Sequence, residues 1–293
     1  MMTDVQSRRS DNEFKITRVG VKGLKKPIYV KRPDKRNLLN LMPVIDVSVD
    51  LPAHLKGSHM SRNVEVVSNI VDESVRKPVE SIEKLCERIV RDLIKKHEYA
   101  SYSSAKLRAD YFREVTIWSG KKSIEPYVIF GEACMDRNTS KIKNTIGVEV
   151  TGMNACPCAM EGVRELMKEE YDIGEGDYPC ITHNQRNITT LSIQTSSDVF
   201  IEAEKLIDIV EEAMSSPTFE YLKRKDEAIL VLNAHKKPRF VEDIVRYVLQ
   251  GVLENFPDIP DDSVVKVFSE SEESIHKHNA FAERITTIKE LKE

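Results

Sequence analysis

The sequence predicts an α+β protein built on antiparallel strands, and three observations carry that reading. Residues 41–51 alternate, with Ile45, Val47, Val49 and Leu51 set against Val44, Asp46, Ser48 and Asp50, the period-two pattern of a strand with one buried face. Residues 79–96 instead place Ile82, Leu85, Ile89, Leu93 and Ile94 at three-to-four spacing among Glu, Lys and Arg, the apolar stripe of a surface helix. Both patterns recur in each half of the chain without a visible sequence repeat, and strands mixed with helices in this way argue for α+β.

In chain order, residues 1–13 are charged and are expected as a flexible arm. Alternation predicts strands over 14–21, 27–31 and 41–51. The helix over 79–96 follows, with Cys86 and Val90 on its buried face, and then strands over 105–118, 126–134 and 141–150. The second half continues with a helix over 160–171, a strand over 188–194 and a helix over 201–214 whose Leu206, Ile207, Val210 and Ala213 share one side. Ser216 and Pro217 read as the N-cap and first-turn proline of the next segment, which carries Lys223-Arg224-Lys225-Asp226-Glu227. Residues 241–256 form a clean amphipathic pattern, 264–269 a short strand, and 280–293 a charged helical end. The expected organisation is an arm (1–13), a first module (14–150) and a second module (151–293).

Composition sets looser bounds. At 293 residues, 40% hydrophobic and 31% charged, the chain suits a soluble protein with one large or two medium domains. A net charge of −4 supplies no global pull toward nucleic acid or an anionic membrane, so an anionic substrate would need a local basic cluster. No apolar run approaches the length of a membrane span and the start, MMTDVQSRRSDNE, is polar, so a cytoplasmic protein is expected. Five cysteines, an odd number with three of them in one stretch, suit a reducing compartment and metal or thiol chemistry better than a disulfide framework.

That stretch, residues 147–187, is where the chemistry concentrates. A strand ends in a glycine turn, delivers Cys156 and Cys158, and passes into a helix; Cys180 and His183 follow, opening His183-Asn184-Gln185-Arg186. A helix N-terminus presents unpaired N–H groups and a positive dipole end, which favour the thiolate that binds metal or attacks carbon. Three readings compete: buried cysteines with a surface histidine; a structural zinc knot of Cys156, Cys158, Cys180 and His183; and a catalytic site that uses two or three of these ligands and keeps one position open for water. The C-x-C spacing is poor for the zinc knot.

The blocks GVEVTGMNACPC, THNQR, LKRKDE, FVED and ESIHKHNAFAE, together with DVQSR (4–8), ITRVGVKGLKKPIYV (16–30) and VDLPAHLKGSHMSR (49–62), occur in that family's order in a chain that resembles the GTP cyclohydrolase type IB family, and most its archaeal branch. The resemblance spans nearly the whole chain. It implies the tunnelling fold, with two modules per subunit and barrels assembled from several subunits, expected as a homotetramer. It implies one divalent metal, Fe(II) by preference with Mn(II) or Zn(II) as alternatives, on Cys156, His183 and Glu227, with Cys158 beside it. It implies GTP and water as substrates and, for the archaeal branch, a cyclic-phosphate dihydroneopterin as product. The segment between Cys156 and His183, with its Gly174-Glu175-Gly176-Asp177 turn, is longer than in bacterial members, as in archaeal ones. Lys225 stands where a proline is usual, and Ala159 where a serine is common.

Other residues gain roles from the same resemblance. Glu242 alone reads as a first-turn carboxylate favoured by the helix dipole; the resemblance makes it the purine anchor, accepting the N1–H and exocyclic amine of guanine. Glu227 alone reads as a solvated helix face. His276 and His278, at i and i+2, read either as exposed loop histidines or, on one face of a strand, as a metal site or proton-transfer pair, and the resemblance favours general acid/base work. Arg186, Lys223 and Arg224 are candidate triphosphate contacts, and Gln185 a further substrate contact. No Walker-type glycine loop is present. The alternatives are another tunnelling-fold purine or pterin enzyme, and a zinc-stabilised module without catalysis.

Overall fold

The computed structural model describes residues 4–31, 38–171, 181–196 and 199–293. The chain divides into two compact units, Met1–Tyr111 with Val128–Ile146 and Gln194–Ile201, and Phe112–Tyr127 with Gly147–Ile193 and Glu202–Glu293.

In the first unit, β1 (Ile16–Lys25) runs antiparallel to β4 (Val44–Leu51), with Val21 opposite Val47, while β2 (Ile28–Lys31) and β3 (Leu38–Leu41) form a separate ribbon. Gly20 is required there, since a Cβ would stand 1.9 Å from Val47 O. The expectation of one buried face on β4 needs correction: Ser48 and Asp50 are buried as well. Their polar groups are satisfied within the fold. Ser48 Oγ lies 2.8 Å from Ser104 Oγ, and Asp50 accepts the N–H groups of Ser101 (2.7 Å) and Tyr102 (2.8 Å).

Helix α1 (Met60–Arg76) occupies a stretch for which no element is expected above; it buries Val66, Val67, Ile70 and Val71. Helix α2 begins at Ile82 and runs to Lys96, later than the expected start at 79. Val79 is committed elsewhere, donating to Tyr29 O (3.0 Å) and accepting from Lys31 N–H (2.8 Å), and Ser81 caps the helix by accepting the Lys84 N–H (3.3 Å). Leu85, Cys86, Ile89, Val90 and Leu93 of α2 are fully buried, each such aliphatic side chain contributing roughly 1.5–3 kcal/mol. Ser103 Oγ donates to Val90 O (2.9 Å) and fastens the helix to the following strand.

Long strands β5 (Tyr102–Thr116), β6 (Lys122–Asp136) and β7 (Ile142–Ala155) follow as expected, then α3 (Pro157–Tyr171) and β8 (Asn184–Ser196). In the second unit, α4 (Ala203–Ala213) packs on α6 (Val241–Asn255), where Gly251 faces Ile209 so closely that a Cβ would lie 2.8 Å from it.

Two expectations fail in this unit. Ser216–Pro217 is not a helix start but a short strand, β9, paired with Gly152 and Met153 of β7; α5 begins only at Arg224 and runs to Lys236. The end of the chain, expected as helix over 280–293, is mostly the strand β11 (Ala280–Thr287), paired throughout with β10 (Val264–Ser271). Thr287 then caps α7 (Ile288–Lys292) by accepting the Glu290 N–H (3.2 Å). Pairing with β10 overrides the helical propensity of the charged sequence.

Among the described residues the main sheet has the order β1-β4-β5-β6-β7-β8-β10-β11, with β9 beside β7. Apart from the insertions, strand–strand–helix–helix–strand–strand occurs twice: β1-β4-α1-α2-β5-β6 and β7-β8-α4-α6-β10-β11. No described helix is long and apolar enough to cross a membrane.

Candidate active site

The end of β7 is held from two sides. At Gly152 a Cβ would lie 2.1 Å from Met214 Sδ, so a larger residue there would have to displace the methionine side chain. The Ala155 N–H donates to Ser215 Oγ (3.2 Å) and its carbonyl accepts the Arg239 N–H (3.0 Å). Arg239 in turn donates to the α4 carbonyls of Glu212 and Ala213 and stacks on Tyr247. The chain therefore enters α3 from a fixed point. Pro157, which has no N–H to leave unpaired, takes the first helical position. Cys156 acts as the cap: its carbonyl accepts the Met160 N–H (3.3 Å) and its Sγ accepts the Ala159 N–H (3.4 Å). Cys158 is exposed.

The structure brings His183 to Cys156. The Cys156 N–H donates to His183 O (3.1 Å), and Thr182 Oγ1 donates to Cys156 O (2.7 Å). The imidazole is held in turn: His183 Nδ1 lies 2.8 Å from Gln185 Oε1, and Gln185 Nε2 donates to Glu273 Oε1 (3.2 Å). Because the Gln185 amide spends its N–H on Glu273, it presents oxygen to His183, so Nδ1 carries the proton and Nε2 keeps a lone pair. A metal-ligating histidine is oriented in this manner. Beneath, Asn187 Nδ2 donates to Ser269 Oγ (2.9 Å) and Ser271 Oγ (3.3 Å), a buried network that ties β8 to β10.

The remaining expected residues are less concentrated. Glu227 lies on the exposed face of α5, while its neighbour Asp226 is 1% exposed with neither carboxylate oxygen hydrogen-bonded among the described residues. Glu242 is exposed in the first turn of α6, and the capping role falls to Asp243, which accepts the Phe240 N–H (3.0 Å). Lys223 and Arg224 are exposed at the start of α5. His276 and His278 are exposed and lie in the β10–β11 connection, the loop placement and not the strand one of the two that the sequence left open; their rings stack, with centroids 5.1 Å apart and planes 12° apart. Cys180 and the 174–177 turn lie outside the described residues. Among the described residues no three His, Cys, Asp or Glu side chains form a metal-holding group. The chemistry of the donors still suits a divalent ion: a thiolate-capable sulfur and an imidazole with a free Nε2 lie on joined segments.

Arg186, next to this motif, lines a cleft of about 410 Å3 with Glu272, Glu125, Tyr127, Glu211 and Phe219. Arg186 Nη1 stands 4.0 Å from Glu272 Oε2. Glu211 accepts from Tyr127 Oη (2.6 Å) and Arg113 Nη2 (2.8 Å), and burial pushes both the Tyr127 phenol and the Glu211 carboxyl up. Sequence reasoning missed Glu273, Thr182 and Arg239 as parts of the site. Glu273 opens the ESIHKH block and Arg239 precedes FVED, so their placement within the motifs was the available signal.

Residues 2–282 match the family described as type I GTP cyclohydrolase folE2. Similar curated proteins include GTP cyclohydrolase MptA of Methanospirillum hungatei, 43% identical over 304 residues, covering 99% of this chain and 92% of the relative. GTP cyclohydrolase MptA 1 of Methanocella arvoryzae is 40% identical over 302 residues, covering 99% and 95%. Among solved structures, the uricase from Arthrobacter globiformis superposes with a TM-score of 0.55 at 8% identity, covering 92% of this chain and 93% of that one. A uricase from Bacillus fastidious gives 0.54 at 9%, covering 97% and 96%. At such identities the uricases speak to the fold alone.

Proposed function

The chain belongs to the type I GTP cyclohydrolase family, and from that membership we propose that it is a metal-dependent GTP cyclohydrolase, opening the guanine imidazole ring at C8 with release of formate in archaeal pterin biosynthesis. The observation that carries the reading to this chain's own residues is the Cys156–His183 pairing, with the imidazole turned by Gln185 so that Nε2 is free. Cys156, His183 and Glu227 would hold the divalent metal, Fe(II) by preference with Mn(II) or Zn(II) as alternatives, with Cys158, two residues along the turn from Cys156, outside the ligand set. A metal so held supplies Lewis acidity and a water of lowered pKa.

The chain's residues do the rest. Glu242, free of a capping duty, accepts the N1–H and exocyclic amine of guanine, a bidentate pairing that orients C8. Arg186, Lys223 and Arg224 supply donors for the triphosphate, while Gln185, its amide engaged by His183 and Glu273, orients the imidazole and not the substrate. His276 or His278, stacked at the β10–β11 connection, donates the proton that the departing ring nitrogen needs and assists formate release. The twofold repetition of strand–strand–helix–helix–strand–strand and the likeness to the uricases support the tunnelling fold with two modules; the homotetrameric barrel rests on the family resemblance.

Anaerobic incubation with GTP after separate reconstitution with Fe(II), Mn(II) or Zn(II) tests the reading, with formate assayed and the pterin identified by mass. Formate with a cyclic-phosphate dihydroneopterin is expected. A folded, metal-loaded protein that releases no formate with any metal would overturn it.

A further inference from the structure

The cleft of about 410 Å3 beside Arg186 holds a carboxylate that the chain leaves unmatched. β6 buries Glu125, Tyr127 and Ile129 at alternate positions, so Glu125, 4% exposed, belongs to the packed face of the strand and not to its outer one. Its Oε2 accepts the Glu220 N–H (2.9 Å), but its Oε1 has no hydrogen-bond partner among the described residues. A buried carboxylate in that state is costly, and here it lines a cleft through which a partner can reach it.

The surrounding chain is fixed. β9 pairs with Gly152 and Met153, and Thr218 Oγ1 donates to Thr151 O (3.2 Å), so residues 218–220 pass from β7 to β6 and bring the Glu220 N–H to Glu125. Trp118 meets Phe219 edge to face, with centroids 5.4 Å apart. The other charged groups on the lining, apart from the exposed Glu220, have partners of their own. Glu211 accepts from Tyr127 and Arg113, and Arg186 stands opposite Glu272.

We propose that this cleft binds an organic ammonium ion, a primary amine on a short aliphatic chain, with Glu125 as its anchor. An ammonium group carries three N–H donors and no acceptor, the complement of an unmatched carboxylate oxygen. A bare divalent ion suits the cleft less well, because among the described residues no three His, Cys, Asp or Glu side chains converge to hold one. Pro126, Ile188 and Phe219 add apolar surface for methylenes, and the Phe219 ring adds a face that attracts a cation. A second ammonium on the same chain would meet Glu220, so a diamine is the best-matched ligand. The proposal does not rest on the cyclohydrolase reading.

The test is calorimetric titration of the full chain with 1,4-diaminobutane and, in separate arms, with potassium and magnesium chloride, for the parent, Glu125→Gln, Glu220→Gln and Glu165→Gln. Glu165, exposed on α3, lies outside the cleft and its variant carries the same change of charge. Glu125→Gln is expected to weaken diamine binding about tenfold or more, the loss of one charge-assisted bond, and Glu220→Gln a few-fold, while Glu165→Gln leaves it as in the parent. The diamine should also raise the melting temperature of the parent and not that of Glu125→Gln. Should Glu125→Gln not keep the parent's far-UV spectrum, Glu220→Gln against Glu165→Gln carries the comparison. No diamine binding by the parent, equal losses in Glu165→Gln, or binding of potassium or magnesium alone overturns the proposal. None of these readouts needs GTP turnover, so this proposal and the cyclohydrolase reading fail separately.

Discussion

Gln185 presents its amide oxygen to His183 Nδ1 at 2.8 Å because its amide nitrogen is taken by Glu273 at 3.2 Å. The imidazole is thereby fixed in one tautomer with Nε2 available. Gln185→Leu, which keeps the size and removes the acceptor, is expected to weaken metal binding by about 10- to 100-fold. Competition with a chelator measures it, and an unchanged affinity would remove Gln185 from the positioning of His183.

The two cysteines of the Cys-Pro-Cys turn are expected to behave differently. Cys156 caps α3 through Sγ, 3.4 Å from the Ala159 N–H, and adjoins His183, whereas Cys158 is exposed one residue inside the helix. Cys156→Ser keeps a capping oxygen, so the fold is expected to survive while bound metal and formate release fall by about a hundredfold or more. Cys158→Ser is expected to cost no more than a few-fold. Metal content by mass spectrometry and the formate assay compare the pair; equal losses would mean that Cys158 also ligates.

How much of this was legible depended on the range of the interactions. The long strands β5, β6 and β7 were legible because period two reports a strand's own faces. Helix α1 was legible in principle, since Val66, Val67, Ile70 and Val71 fall on one stripe, but its start at His59 carries no side-chain cap to mark it. β11 reads as helix locally and becomes a strand only because Val264–Ser271 is beside it. In the site, cysteine and histidine declared themselves by chemistry. Gln185 and Glu273 did not, because their contact joins the start of β8 to the residues just after β10.

Stability is expected to fall as pH drops from about 6.5 toward 4. Burial, with Arg62 and His59 nearby, lowers the His97 pKa to about 4, and the ring is fully buried. The unfolded chain, with an ordinary histidine near 6.5, then binds the proton that the folded one refuses. The contribution is complete above the unfolded value and is lost as pH falls through the folded one, at most roughly 3 kcal/mol. Urea midpoints measured across this window should fall for the parent and flatten for His97→Gln; parallel curves would locate the titration elsewhere.

Asp226 and Glu227 offer the sharpest test of the metal site, because adjacent helical residues point about 100° apart and cannot serve the same place. Glu227 is exposed and free to reach an ion. Asp226 shares the buried face of α5 with Leu230 and Ala234, its carboxylate without a hydrogen-bond partner among the described residues. An unpartnered buried carboxylate is costly, and relieving it is worth about 1–3 kcal/mol. With Glu227 as the ligand, Glu227→Gln should abolish metal binding at unchanged melting temperature of the metal-free protein. Asp226→Asn should keep the metal and raise that melting temperature. The opposite pattern, metal lost from Asp226→Asn and kept by Glu227→Gln, would move the third ligand by one residue. It would also explain the buried carboxylate as a group whose partner is the ion.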